Sequence, residues 1–229
     1  ANAPINAGSY KLRITFTFGP NNTFFDEQNF TINKATPTLS VTNSPITYNA
    51  NTQSATLSSS VLGTTSNIHY NGLTIAPTNA GTYTITADFA PNDGSNYHSL
   101  IGQSAGSFII SKAPITISNI VLTKVYDGTP NINVISNTPI GSLSTDEVIA
   151  FGQPTSFSNK IVANNYSSTV TFSLTTIPST GKENNYSISG SNPILITNGS
   201  ITKLPITITA SANTKVYDGT VSATATPTL

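Results

Sequence analysis

The sequence predicts an all-β fold built of tandem, small, antiparallel β-sandwiches. Three observations predict it. First, Thr123-Lys124-Val125-Tyr126-Asp127-Gly128-Thr129 recurs letter for letter at Thr214-Lys215-Val216-Tyr217-Asp218-Gly219-Thr220, 91 residues later. The same offset relates Lys112-Ala113-Pro114-Ile115-Thr116-Ile117 to Lys203-Leu204-Pro205-Ile206-Thr207-Ile208. Similarity at one fixed offset marks a repeat architecture. Second, apolar and polar residues alternate with a period of two, the pattern of a sheet with one dry and one wet face. Third, short β-rich stretches are spaced closely by Gly, Pro and Asn, and no segment has helical periodicity.

The elements follow in order. Ala3-Pro4-Ile5-Asn6-Ala7-Gly8-Ser9-Tyr10 resembles Ala76-Pro77-Thr78-Asn79-Ala80-Gly81-Thr82-Tyr83, and each copy leads into an alternating strand. In the first, Tyr10, Leu12, Ile14, Phe16 and Phe18 oppose Ser9, Lys11, Arg13, Thr15 and Thr17. In the second, Tyr83, Ile85, Ala87 and Phe89 oppose Thr82, Thr84, Thr86 and Asp88. Polar turns follow at 19–22 and 91–96. Closing strands then run from Phe30 and from Phe108 into Lys34-Ala35-Thr36-Pro37 and Lys112-Ala113-Pro114. Proline lacks an N–H and fixes φ, so these stretches end the ladder and stiffen a joint.

Residues 36–113 thus form one complete unit, with further strands expected at Thr38–Val41, Ile46–Tyr48, Ala55–Leu57 and Ile68–Tyr70, and a hairpin turn at Asn71-Gly72. Residues 114–204 form a complete unit of another type. Its strands are expected at Ile115–Ile117, Val148–Phe151, Ser168–Leu174, Tyr186–Ile188, Ile194–Ile196 and Ser200–Thr202. Residues 1–35 supply only the closing strands of a unit and 205–229 only the opening strands of another. Neither fragment can bury both faces of a sandwich, so in the chain of residues 1–229 both ends are expected to exchange amide protons quickly and 36–204 to be protected.

The repeated motif reads as a short strand, Lys124-Val125-Tyr126 or Lys215-Val216-Tyr217, running into a turn at Asp127-Gly128 or Asp218-Gly219. Tyr126 is expected as a buried anchor among Phe151, Phe157 and Phe172, because a small sandwich has few aromatics to fill its core.

Composition narrows the function. Ser, Thr and Asn make up about 40% of the chain, far above ordinary globular usage. Nine basic and nine acidic residues give zero formal charge, which argues against nucleic acid and against docking on an anionic membrane. There is no Cys, hence no disulfide or thiolate metal site. No run has the apolar length of a membrane span.

The chemistry-bearing residues are scattered. His69 and His98 lie apart, without the further ligands that a metal needs. Asp88 and Asp93 could share a calcium loop, but two acids are few for that ion and suit ordinary turn chemistry. Asp146-Glu147 reads as a solvated turn. No nucleophile has a base beside it; the chain is expected to be no enzyme and to need no cofactor. Asn-x-Ser/Thr sequons stand at Asn21, Asn29, Asn165, Asn185 and Asn198, as an Asn/Ser/Thr-rich chain generates by accident. A Lys–Asn crosslink would need a buried carboxylate beside it.

Two family resemblances rest on these residues. Lys-Val-Tyr-Asp-Gly-Thr, then Asp146-Glu147-Val148, Ser158-Asn159-Lys160 and Asn184-Asn185-Tyr186-Ser187-Ile188, resemble the YDG domain over 114–204 and, as its N-terminal part, over 205–229. Asn79-Ala80-Gly81-Thr82-Tyr83, Asn96-Tyr97 and Phe108-x-Ile110-x-Lys112-Ala113 resemble the MBG repeat over 36–113 and, as its C-terminal part, over 1–35. The resemblance implies immunoglobulin-like sandwiches in an elongated array, within large extracellular, adhesin-like proteins of the bacterial cell surface. It implies a structural spacer or fibre segment whose partners are adjoining repeats, with lateral self-association as a variant. The alternative is a glycan- or surface-binding module that uses the Thr82/Thr84/Thr86 and Thr15/Thr17 faces.

Overall fold

The computed structural model describes residues 3–133, 135–137, 146–176, 178–210, 212 and 214–221. Its regular structure is β throughout, apart from one 3₁₀ turn at Lys182–Asn185. Strands β1 (Gly8–Phe18) and β2 (Asn22–Ile32) form an antiparallel hairpin in continuous register from Gly8↔Ile32 to Phe18↔Asn22. The predicted alternation is present, yet the apolar side chains of β1 are uncovered, with Phe16 63% exposed.

Six strands follow: β3 (Leu39–Val41), β4 (Ile46–Thr47), β5 (Leu57–Ser59), β6 (Gly63–Tyr70), β7 (Gly81–Pro91) and β8 (Leu100–Ser111). Strands β4, β8, β7 and β6 form one sheet in that order; β3 pairs with β5 and lies against β8. Ile85, Phe89, Phe108 and Ile110 are fully buried between them. Tyr70 meets Phe108 edge-on, with ring centroids 6.1 Å apart, and its hydroxyl accepts the Ala55 N–H at 2.9 Å. The Asn71-Gly72 turn is as expected: both residues have positive φ, 50° and 84°, and Tyr70 and Leu73 exchange two backbone hydrogen bonds. That is the primed turn that suits the twist of a hairpin.

Strands β9 (Ala113–Ile115), β10 (Thr123–Val125), β11 (Ile135–Asn137), β12 (Val148–Pro154), β13 (Ala163–Thr176), β14 (Tyr186–Ile188) and β15 (Ile194–Thr202) complete the order. β10, β15, β13, β12 and β11 form a five-stranded sheet, and β14 pairs with β9. The core here is Ile117, Leu122, Ala150, Phe157, Val170, Phe172, Ile196 and Ile201. A Cβ on Gly199 would meet the Phe157 ring at 2.4 Å, so this position admits only glycine without displacing the ring.

The chain divides into two compact units. The first takes its described residues from 1–115, 141–148 and 176–187; the second takes them from 116–140, 149–175 and 188–229.

The expectation of purely antiparallel sheets is corrected at two places. β4 runs parallel to β8, with Ile46↔Ile110 and Thr47↔Ser111. β10 runs parallel to β15, with Thr123↔Ser200 and Val125↔Thr202. A parallel pair needs a long connection, and in both cases most of a repeat lies between the two strands. A second recurrence was not foreseen. The Tyr10 hydroxyl donates to Asn6 O, that of Tyr83 to Asn79 O and that of Tyr166 to Ile161 O, each at 2.8 Å. A tyrosine bonding back to the backbone a few residues upstream is the tyrosine corner of β-sandwiches.

Candidate functional site at the joints between repeats

Two polar clusters stand where one segment of the chain gives way to the next, and they share one device. In the first, Asn96 Oδ1 accepts the Ala7 N–H at 2.6 Å, while its Nδ2 donates to Asn6 Oδ1 at 3.1 Å and to Asp93 Oδ2 at 2.7 Å. One side-chain amide therefore uses its acceptor and both its donors. Asp93 Oδ1 also accepts the Ser95 and Asn96 N–H groups. The Asn96 side chain in particular holds the Asp93 carboxyl below its usual range. Ala35 lies in a parallel bridge with Tyr97, donating to Asn96 O at 2.8 Å and accepting from the His98 N–H at 2.9 Å.

In the second cluster Asn185 repeats the clamp on the equivalent loop. Its Oδ1 accepts the Ala80 N–H at 2.7 Å and its Nδ2 donates to Asn79 Oδ1 at 3.2 Å. The β9/β14 pairing stands where the Ala35/Tyr97 bridge stood. Beside it lies a buried carboxylate. Asp146 Oδ2 accepts the Tyr48 hydroxyl at 2.8 Å and the Tyr186 hydroxyl at 2.6 Å. Lys182 Nζ lies 3.1 Å from Oδ1. The two tyrosine rings meet edge-on, with centroids 5.5 Å apart. Asp146, Tyr48, Asn185 and Tyr186 are all buried, whereas the Lys182 side chain is 44% exposed. Burial pushes the Asp146 carboxyl up, but hydrogen bonds from Tyr186, Tyr48 and Lys182 outweigh it and hold the group below its usual range. The Tyr48 phenol is pushed up to about 12, by burial first and then by its bond to Asp146.

The solvated turn expected at Asp146-Glu147 is therefore corrected at its first residue: Asp146 is buried and Glu147 is exposed. Two phenols and an ammonium replace the water that the carboxylate gives up, which makes burial of a charge tolerable. The Asn185 sequon has the same fate. Its side-chain nitrogen is enclosed and bonded to Asn79, which leaves no room for a glycan.

The repeated signature forms a turn closed by its own lysine. Lys124 Nζ donates to Asp127 Oδ1 at 2.7 Å, Thr129 O at 2.8 Å and Asn131 O at 2.7 Å. Lys215 Nζ lies 2.8 Å from Asp218 Oδ1 and donates to Thr220 O at 2.8 Å and Thr220 Oγ1 at 2.7 Å. In both copies the Asp side chain also accepts the Thr N–H at 2.9 Å. Gly128 and Gly219 have φ of 80° and 72°, the left-handed region in which a Cβ is strained. The bond from Lys124, then that from the Thr129 amide, holds the Asp127 carboxyl down at about 2. Val125 and Tyr126 are 49% and 38% exposed, and Val216 and Tyr217 more so. The expected burial of Tyr126 is thus corrected. β10 is an edge strand, the lysine fills the inside of the turn, and Phe157 and Phe172 fill the core without the tyrosine.

The remaining candidates are local. His69 Nδ1 lies 2.7 Å from Asn67 O. Asp88 accepts from Asn67 Nδ2 and the Gly102 N–H, so Asp88 and Asp93 serve separate turns. Among the described residues no group of three or more His, Cys, Asp or Glu could hold a metal ion. Thr82 and Thr84 point outward from β7, opposite Ile109 and Ser107. Tyr48, Lys182 and the joint roles of Asn96 and Asn185 were missed from the sequence. The signal that could have found the asparagines was the shared Asn-Tyr pair, 96–97 and 185–186.

Against known proteins, residues 35–114 match the family model described as the MBG domain, and residues 111–193 match that of the YDG domain. No curated protein and no solved structure matches the chain.

Proposed function

The chain carries an MBG domain followed by a YDG domain, and on that premise we propose that it is a spacer, a stalk segment of a large extracellular surface protein. Such repeats are typical of surface proteins. We further propose that each repeat is an immunoglobulin-like sandwich, for which the three tyrosine corners are the support. The observation that carries the spacer reading is the recurrence of one asparagine clamp at two successive joints, on Asn6-Ala7 and on Asn79-Ala80. A linker that only tethers two domains has no need of the same pair of asparagine hydrogen bonds, one to a backbone N–H and one to a side-chain oxygen, at each step. A spacer does, because a joint fixed in angle carries direction from one repeat to the next. The reading assigns the chain no catalysis and no cofactor. Its partners are adjoining repeats, and its zero net charge favours lateral association, since little repulsion keeps neighbours apart.

Small-angle scattering on the whole chain tests the proposal. An elongated particle whose maximum dimension grows in proportion as repeats are added is the expected result. A particle that stays compact as repeats are added would overturn the reading.

A further inference from the structure

The Tyr of the YDG signature has no role in the core, and its position in the fold suggests another. Tyr48 and Tyr126 occupy the same station. Tyr48 follows β4, which runs parallel to β8, and its N–H donates to Ser111 O at 2.9 Å. Tyr126 follows β10, which runs parallel to β15, and its N–H donates to Thr202 O at 2.9 Å. Each tyrosine is followed by a side-chain-capped turn: Asn51 N–H to Asn49 Oδ1 at 3.0 Å, Thr129 N–H to Asp127 Oδ1 at 2.9 Å. The middle residue of each turn, Ala50 or Gly128, has positive φ. Each tyrosine also pairs beside the last strand of its repeat, one residue before the joint lysine, Lys112 or Lys203.

The two stations differ in what covers them. Tyr48 is 5% exposed, because Asp146, Tyr186 and Asn185 of the following repeat close over it. Tyr126 is 38% exposed. The sequence that follows Lys203 opens the same type of repeat again. A YDG-type repeat is the one that carries Asp146 and Tyr186.

We propose that Tyr126 is the docking point for a following YDG-type repeat, and that its hydroxyl is received there by that repeat's equivalent of Asp146, between a tyrosine and a lysine. The signature tyrosine is then an interface residue set beside the lysine-closed turn, which fixes its direction. The neighbouring clamp differs. By the tyrosine-corner equivalence, Ile161 and Val162 take the places of Asn79 and Ala80. Ile161 has no side-chain oxygen for the incoming asparagine, and only the Val162 N–H remains to be capped. A YDG–YDG joint therefore leans more on the tyrosine than the MBG–YDG joint does.

The proposal rests on the spacer reading only for its tandem partner. The test compares the chain of residues 1–229 with a chain of residues 1–204 followed directly by a second copy of 114–204, which preserves the Leu-Pro-Ile-Thr-Ile junction. Tyr126→Phe removes only the hydroxyl. It should leave the melting temperature of the 1–229 chain unchanged and lower that of the tandem chain. Asp146→Asn in the second copy should have the same effect, and the double variant should add nothing further. Ultraviolet titration should show one more late-titrating phenol in the tandem chain than its two copies account for separately. An equal effect of Tyr126→Phe in both chains, or none in the tandem chain, would overturn the proposal. Scattering on the tandem chain keeps the two readings apart: a compact particle in which the Tyr126–Asp146 coupling persists defeats the spacer and spares the joint.

Discussion

The two joints close on the same atoms and differ in what surrounds them. At the first, Asn96 is half-buried and is held by Asp93, a carboxylate in contact with water. At the second, Asn185 is buried next to Tyr186, whose hydroxyl goes to a carboxylate that is itself buried and takes two phenols and an ammonium. An identical hydrogen bond weighs more in the second place. Water competes for it less, and a lost partner leaves a polar group with nowhere to turn. The same clamp recurs at both joints, while burial sets how much stability depends on it.

The largest expected effect breaks the second joint. Asp146→Ala leaves the Tyr48 and Tyr186 hydroxyls without their acceptor and should cost about 3–5 kcal/mol in urea unfolding. The lower end is expected because the half-exposed Lys182 can turn to water. Asp93→Ala at the first joint, an exposed carboxylate, should move the urea midpoint much less. Equal costs would mean that burial does not separate the joints.

Next come the clamps themselves. Asn185→Ala should cost about 2 kcal/mol and Asn96→Ala about 0.5–1 kcal/mol, both measured by the same unfolding. A reversed order would show that Asn96 anchors more of the hairpin than its exposure suggests.

Acid sharpens the contrast further. The folded-state pKa values of Asp146 and Asp127 are depressed. Their stabilisation is therefore fully present above the unfolded value, about 3.9, and is lost as pH falls through the folded value. For Asp127 that window runs down to about 2. The stability gap between the native chain and Asp146→Asn should be constant above about pH 5 and shrink below about pH 4, as followed by circular dichroism. A gap that widened with acid would contradict the sign.

The smallest effect concerns the signature turns. Lys124→Met and Lys215→Met should each speed amide exchange at Thr129 or Thr220 by at least about tenfold, the size of a lost charge-assisted hydrogen bond. The melting temperature should barely move for Lys215. A slow-exchanging Thr220 in Lys215→Met would show that the Asp-Gly pair alone holds the turn.

Much of this was legible in the sequence. The alternation of Tyr83, Ile85, Ala87 and Phe89 gave β7 and its buried face, and Asn71-Gly72 gave a turn whose φ values only such residues tolerate readily. What stayed hidden was the difference between a residue that fills a core and one that waits at an edge. Val125-Tyr126 looks the same on paper in either role, because the choice depends on the partners of β10 across a non-local pairing. Asp146 was misread for a similar reason. A pair of acids in a polar stretch signals solvent unless the phenols that meet the first of them, 98 residues away for Tyr48 and 40 for Tyr186, are known to be near. Long-range pairing, not local propensity, decides both cases.

The parallel pairing of β4 with β8, and of β10 with β15, has a mechanical consequence. In each pair one strand lies near the entrance of its repeat and the other at its exit, side by side and pointing the same way. A pull on the two ends of a repeat drags these strands past each other. The backbone bonds between them, together with those from the Tyr48 and Tyr126 amides, lie across the pull. They must yield together, whereas a hairpin pulled open at its free ends gives way one bond at a time. The few bonds at these edges are therefore placed where tension along the chain would be borne first and shared most evenly.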